Sequence, residues 1–103
     1  MALFRFSRRA EGDLLSIGAY TLRTWSEDQA IRYIDELEAC CQMLAGNPAL
    51  GRSCDYVRPD LRRMECGRHV VFYREDAGGI LVSRILHQGM LPGRHAIDDD
   101  DGA

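Results

Sequence analysis

The spacing of apolar residues changes period along this chain. Leu3 to Phe6 alternates around Arg5, the pattern of a short strand. Between residues 8 and 25, Ala10, Leu14, Ile17, Gly18, Thr21, Leu22 and Trp25 recur at three- and four-residue intervals, which makes one helical stripe. Ser7, just ahead of it, can accept from the free amides of the first turn. Ser26-Glu27-Asp28-Gln29 is a capping box, so a second helix starts at once, with the stripe Ala30, Ile31, Ile34, Leu37, Cys41, Leu44 and Ala45. Gly46-Asn47-Pro48 ends it through a C-cap tolerant of the left-handed conformation and a proline that cannot continue. So short a linker between two amphipathic helices predicts an antiparallel helical hairpin.

Beyond Pro48 the period becomes two. Leu50 to Pro59 reads as a polar, turn-rich connection and Leu61 to Cys66 as a strand. Gly67-Arg68 makes a tight turn, His69 to Arg74 a second strand, Ala77-Gly78-Gly79 another turn, and Ile80 to His87 the strongest strand of the chain. The predicted fold is α+β: a short N-terminal strand, an antiparallel helical hairpin and a three-strand antiparallel meander, in two layers with the helices on one sheet face.

Length sharpens this to one domain over residues 1–97 of a 103-residue, 11.6 kDa chain, followed by an acidic, disordered tail at 98–103. The formal charge of −3 is an average. Asp98 to Asp101 are four of the 16 acids, so residues 1–97 carry a net +1. All 13 basic residues are arginine, which excludes mechanisms that need a Schiff-base or Walker-type lysine. The N-terminal residues lack an apolar signal-peptide core and no stretch is long enough for a membrane span, so a cytoplasmic protein with no membrane partner is expected. Of the four cysteines, Cys40 and Cys41 are helical neighbours that cannot bridge each other, and reduced thiols are expected. Their spacing relative to His69, His87 and His95 matches no zinc site, so neither metal nor cofactor is expected.

Candidate chemistry is sparse. Asp35, Glu36 and Glu38, with Arg32 four residues before Glu36, read as a solvated helix face rather than a catalytic carboxylate pair. Gly78-Gly79 suits a hairpin turn better than a phosphate cradle. Cys66 near His69 has no third group to orient it, which favours a buried strand cysteine. Arginine placement says more. Arg52, Arg58, Arg62, Arg63, Arg68 and Arg74 fall within 23 residues that contain only Asp55, Asp60 and Glu65 as acids. Such a segment is either a charged sheet edge or a binding patch. Arg84, mid-strand on the face expected to carry Ile80, Val82 and Leu86, must be paired or covered by a partner. Arg5, Arg8 and Arg9 gather at a helix N-terminus, where the macrodipole opposes positive charge.

Four blocks in order carry a resemblance: Pro48-Ala49-Leu50-Gly51-Arg52, Pro59-Asp60-Leu61-Arg62-Arg63, Gly67-Arg68-His69-Val70-Val71-Phe72-Tyr73-Arg74, and Arg84-Ile85-Leu86-His87-Gln88-Gly89-Met90. With the strand, hairpin and meander order, they resemble the ParE family of toxins within the RelE/ParE superfamily, over nearly the whole chain. The resemblance implies a toxin of a type II toxin–antitoxin module that serves plasmid or chromosome stabilisation. It implies a non-enzymatic inhibitor of DNA gyrase that blocks replication. A small ribbon-helix-helix antitoxin similar to ParD would neutralise it in a hetero-oligomer, and the toxin would reach DNA only through that antitoxin. Guanidinium forks match the carboxylates of an acidic wrapping segment, so Arg62, Arg63, Arg68 and Arg84, with Tyr73, are the expected antitoxin-binding residues. His87, Gln88 and Met90, just past the strongest strand, are the expected target contacts. The alternatives are an inactive toxin-fold module or RelE-like cleavage of messenger RNA on the ribosome. Against cleavage, the stretch from His87 to His95 offers two histidines but neither Lys nor Tyr.

Overall fold

The computed structural model describes residues 2–88, so the expectations for Met90 and for the tail at 98–103 lie outside the described residues. Strand β1 (Leu3–Phe6) leads into helices α1 (Arg8–Thr24) and α2 (Glu27–Gly46). A 3-10 turn at Pro48–Leu50 and strands β2 (Arg52–Ser53), β3 (Arg62–Cys66), β4 (His69–Asp76) and β5 (Gly79–His87) follow. The sheet order is β1-β5-β4-β3-β2, with β1 parallel to β5 and the other pairs antiparallel.

The helix starts follow their caps. Ser7 Oγ accepts from the Ala10 amide at 3.0 Å and Ser26 Oγ from the Gln29 amide at 3.1 Å. The end of α2 departs from expectation: Asn47 has φ −150° and ψ 79° rather than the left-handed conformation, and its amide donates to the Met43 and Leu44 carbonyls. Pro48, restricting the residue before it to extended backbone, accounts for this. The sheet has five strands rather than the expected four. β2 is two residues long and invisible to periodicity, since it exists only through its register on β3, Arg52 opposite Arg63 and Ser53 opposite Arg62. Its brevity and that of β1 leave both sheet edges short, which limits edge-to-edge pairing.

The main core lies between helices and sheet. Ala10, Ile17, Leu37, Cys41 and Leu44 pack with Val71, Tyr73, Ile80, Val82 and Ile85. The stripes are narrower than predicted: Leu22, Trp25 and Ile31 are more than half exposed. A smaller cluster of Cys54, Leu61, Val70, Phe72 and Leu86 occupies the opposite sheet face. One irregularity reassigns a residue. Phe72 pairs with Arg84 but Tyr73 with Val82, so Ser83 is an extra residue that bulges β5. The bulge breaks the alternation, so Arg84 shares a face with Leu86 and Phe72, not with Ile80 and Val82 as expected.

Chain connectivity explains how the β5 edge is closed. β1 pairs with β5 only as far as Phe6 opposite Val82, after which the chain turns into α1. The Ser7 amide donates to the Val82 carbonyl and Ser7 Oγ to the Ser83 carbonyl, 2.8 Å away. Further along, Asp13 Oδ2 accepts from the Ile85 amide at 2.9 Å. Side chains of α1 thereby satisfy backbone groups that a longer β1 would have paired.

The thiols also depart from expectation. Cys40 of α2 and Cys66 of β3 form a disulfide with Cα atoms 6.5 Å apart, within the usual range, while Cys41 and Cys54 are free and buried. Cys66 is thus a buried strand cysteine, but a bonded one. The pairing depends on α2 lying over the end of β3, a tertiary fact that cysteine spacing does not carry.

Candidate functional site

Two regions concentrate polar chemistry, on opposite sides of the sheet. The first is the face turned away from the helices. Across β2, β3, β4 and β5 the register aligns Arg52, Arg63, Phe72 and Arg84 in one row. A second row, Arg74, Leu81 and Arg5, crosses β4, β5 and β1. In each row a buried apolar side chain is flanked by arginines, and Arg63 Cζ stands 5.8 Å from the centroid of the Phe72 ring.

Carboxylates are interleaved but shared. Glu65 Oε2 accepts from both Arg52 Nη2 at 2.6 Å and Arg63 Nη2 at 3.0 Å. The Arg63 bond is the main reason its carboxyl is held below the usual range. Asp76 accepts from Arg5 Nε at 2.8 Å and is likewise depressed, first by that bond and then by the Ala77 amide. Arg84 is held as a fork, Nε and Nη2 each 2.8 Å from an oxygen of Asp13 on α1.

The five residues expected at an antitoxin surface therefore do not converge. Arg63 and Arg84 share the open face. Arg62 lies opposite Tyr73 on the helix side and donates to the Gly51 carbonyl at 2.7 Å. Tyr73 is fully buried, so it cannot be a surface contact: its hydroxyl donates to the Pro48 carbonyl at 2.6 Å and accepts from the Gly51 amide at 2.8 Å. A Cβ at Gly51 would sit 2.8 Å from Tyr73 Cε1, so glycine is what lets the turn close on that ring. Arg68 belongs to the second region.

That region is a cleft of about 540 Å³ on the helix side of the sheet, between the α1–α2 junction, the β3–β4 turn and the end of β5. Tyr20, Thr21, Trp25, Gln29, Tyr33, Arg68, His69 and His87 line it, and none of these carries a carboxylate. Tyr20 and Trp25 expose 59% and 56% of their surface, so their rings face solvent rather than core.

The wall behind them is hydrogen-bonded into place. The Tyr33 hydroxyl accepts from the Arg68 amide at 3.0 Å and lies 2.6 Å from His69 Nδ1. Its proton is assigned to that second bond, which leaves the His69 proton on Nε2. Burial, then the neighbouring His87, holds the His69 imidazole below its usual range, against a smaller opposing pull from Asp13. The His69 and His87 rings meet edge to face at 5.7 Å between centroids. Gly67, at φ +62°, lets the turn approach: a Cβ there would fall 2.8 Å from the Tyr33 ring. Of the expected target contacts, His87 lines the cleft. Gln88 folds over the same turn, its amide bonded to the Arg68 carbonyl and its side chain donating to the Gly67 carbonyl. Sequence reading missed the cleft because Trp25 looks like part of the α1 stripe and Tyr20 and Tyr33 fall outside both stripes, and only the strand ends bring the three beside Arg68 and the histidines.

Comparison with known proteins agrees with this architecture. The family model of the ParE toxin of type II toxin–antitoxin systems, parDE, matches residues 4–92. Toxin ParE1 of Caulobacter vibrioides is 39% identical over 95 residues, covering 92% of this chain and 98% of that protein. Toxin ParE1 of Mycobacterium tuberculosis is 39% identical over 88 residues, 84% of this chain and 90% of the relative. A solved structure, the chromosomal ParDE TA system from P. aeruginosa, superposes with a TM-score of 0.71 at 17% identity over 84% of this chain and 96% of that one.

Proposed function

The chain belongs to the ParE family of type II toxin–antitoxin toxins, and from that membership we propose that it inhibits DNA gyrase and is neutralised by a ParD-like antitoxin seated on the open arginine face. The observation that carries the antitoxin half is the cross-strand row of Arg52, Arg63 and Arg84. Guanidinium groups at the spacing of neighbouring strands suit successive carboxylates of an extended or helical acidic segment. Glu65 now serves two arginines, so an incoming carboxylate can take one of them without leaving Glu65 unpaired. Arg63 and Arg52 supply the exchangeable forks. Arg84, neutralised by Asp13, fixes the end of the row. Target contact involves the sheet end at His87 and Gln88, away from that face, so antitoxin acts by enclosing the toxin rather than by filling the target site. Catalysis is not required for this role.

The antitoxin half is tested with a purified ParD-like ribbon-helix-helix antitoxin. The double reversal Arg52→Glu and Arg63→Glu should weaken binding by about 100-fold or more at physiological salt, since each lost charge-assisted contact is worth roughly 1.5–3 kcal/mol. Unchanged affinity in a protein that keeps its circular dichroism would remove the arginine face from the account. The target half is tested by a supercoiling assay with purified gyrase, in which inhibition should be relieved by added antitoxin. Normal supercoiling together with site-specific message cleavage in a translation extract would replace gyrase inhibition by RelE-like chemistry.

A further inference from the structure

We propose that the cleft between the helical hairpin and the β3–β4 turn is a binding site for a nucleotide unit, its base stacked on Trp25 and Tyr20 and its phosphate held by Arg68 and His87. The reading goes beyond toxin action and does not depend on which target the toxin has. Three observations carry it.

The cleft exposes two aromatic rings that the fold does not need for its core, Tyr20 and Trp25, both more than half in solvent. Any nucleobase offers a flat face to such rings, and stacking of this kind is tolerant of base identity. Among the described residues that line it, Arg68 carries a charge, His69 and His87 bring ring N–H donors and none is a carboxylate, although Asp13 acts on His69 and Glu36 on Tyr33 from behind, so the lining suits an anion at Arg68. Among the described residues, Arg5, Arg52, Arg63 and Arg84 each have an acidic partner within 3.0 Å. Finally, the wall is preorganised. Tyr33 joins the Arg68 amide to His69 Nδ1, and the Cys40–Cys66 disulfide ties α2 to the residue before the Gly67 turn. His69, kept neutral with its proton on Nε2, can donate to a phosphate oxygen without the cost of burying a second charge. A volume of about 540 Å³ falls in the range of small-molecule sites.

Trp25 is the only tryptophan of the chain, so its fluorescence reports on this cleft directly. The full-length protein is titrated alone, at physiological salt, with guanosine 5′-monophosphate, guanosine, ribose 5-phosphate and a five-nucleotide single-stranded oligonucleotide. Saturable quenching is expected with the monophosphate, the oligonucleotide or both. The two arms separate a free nucleotide from a nucleotide unit within a strand. Guanosine and ribose 5-phosphate should each bind about tenfold more weakly than the better of these, or worse, because each lacks one of the two recognised groups. Arg68→Gln should weaken binding by about tenfold or more. Arg63→Gln, on the other sheet face, should leave it unchanged. Lack of saturation by either nucleotide probe at millimolar concentration overturns the proposal. So does equal weakening by Arg63→Gln and Arg68→Gln, which would mark general charge attraction, or equal binding of guanosine and its monophosphate. Because neither gyrase nor antitoxin is present, failure here is independent of failure of the toxin reading.

Discussion

Asp13 closes a sheet edge and neutralises an arginine with the same carboxylate, which makes its removal a sharp test of how this fold is held together. In Asp13→Ala the Arg84 guanidinium, whose side chain is 15% exposed, loses both 2.8 Å bonds, and the Ile85 amide loses its acceptor. Breaking a fully buried ion pair costs about 3–5 kcal/mol. Residual exposure near 15% on both partners lets water reach the guanidinium, so about 2–3 kcal/mol is expected, including about 1 kcal/mol for the amide. For a chain of this size that lowers Tm by about 8–24 °C. Asp13→Asn keeps an acceptor for Ile85 and loses only the charge, so it should fall between wild type and Asp13→Ala. A double-mutant cycle with Arg84→Met should return a coupling energy of about 1–2 kcal/mol. Urea and thermal unfolding followed by circular dichroism measure all of these. If Asp13→Ala costs less than about 0.5 kcal/mol, or if Asp13→Asn unfolds like wild type, the carboxylate is not what anchors α1 to β5.

Tyr73→Phe removes the donor to Pro48 and the acceptor for the buried Gly51 amide, so a loss of about 1–3 kcal/mol is expected in urea unfolding; a change within error would mean that the turn at Pro48–Leu50 is held otherwise. Ser83→Ala removes a buried hydroxyl oxygen that has no hydrogen-bond partner among the described residues and should leave stability unchanged or raise it by up to about 1 kcal/mol. Burial pushes the Cys41 thiol up to about 12, and Cys54 is fully buried. An Ellman titration should therefore count no thiol in the native protein and two after denaturation without reductant, whereas four would refute the Cys40–Cys66 bond. His69 is lowered in the fold, so below about pH 6.5 the unfolded chain binds a proton that the native state refuses, and stability falls as pH falls. Between pH 7.5 and 5.5 the urea midpoint of wild type should drop more than that of His69→Gln, with the difference at most about 1.4 kcal/mol per pH unit. The depressed Glu65 and Asp76 act in the same direction only below about pH 4.5, outside that window.

What sequence reading recovered was local, and what it missed was set by register. The caps at Ser7 and Ser26, the helical hairpin, the turn at Gly67 and the strands at 69 and 80 announce themselves within a few residues, through side-chain oxygens, periodicity and glycine. The demand that Arg84 be paired was also legible, because an arginine in an apolar strand has few alternatives. Its partner was not, since Asp13 lies 71 positions away and meets it only because β1 stops at Phe6. Tyr73 shows the reverse error. Strand aromatics beside arginines read as surface contacts, yet one step of alternation turns Tyr73 into the core and leaves Phe72 on the arginine face. Likewise the charged run from Arg52 to Arg74 was visible, but only cross-strand pairing separates Arg62 from Arg63 and sends Arg68 to the far side.

That separation bears on how one small domain can meet more than one partner. Arg63 and Arg68 are five residues apart in sequence, but a strand and a turn put them on different faces of the sheet, with the Val71 and Tyr73 layer of core beneath one and the open face above the other. Substitutions at positions that share no contact partner act independently. Arg63→Glu should therefore change antitoxin affinity without moving nucleotide binding, Arg68→Gln should do the converse, and the double variant should show the two losses side by side. Coupling above about 0.5 kcal/mol between them would mean that the sheet transmits occupancy of one face to the other. Among the described residues, Tyr33 and the Cys40–Cys66 bond link the cleft wall to α2, and Asp13 links α1 to Arg84 on the open face, which gives such coupling a route. Repeating the cycle in Asp13→Ala, which takes the carboxylate away from both Arg84 and the Ile85 amide, tests that contact: lost coupling assigns the route to it, and coupling that survives excludes it.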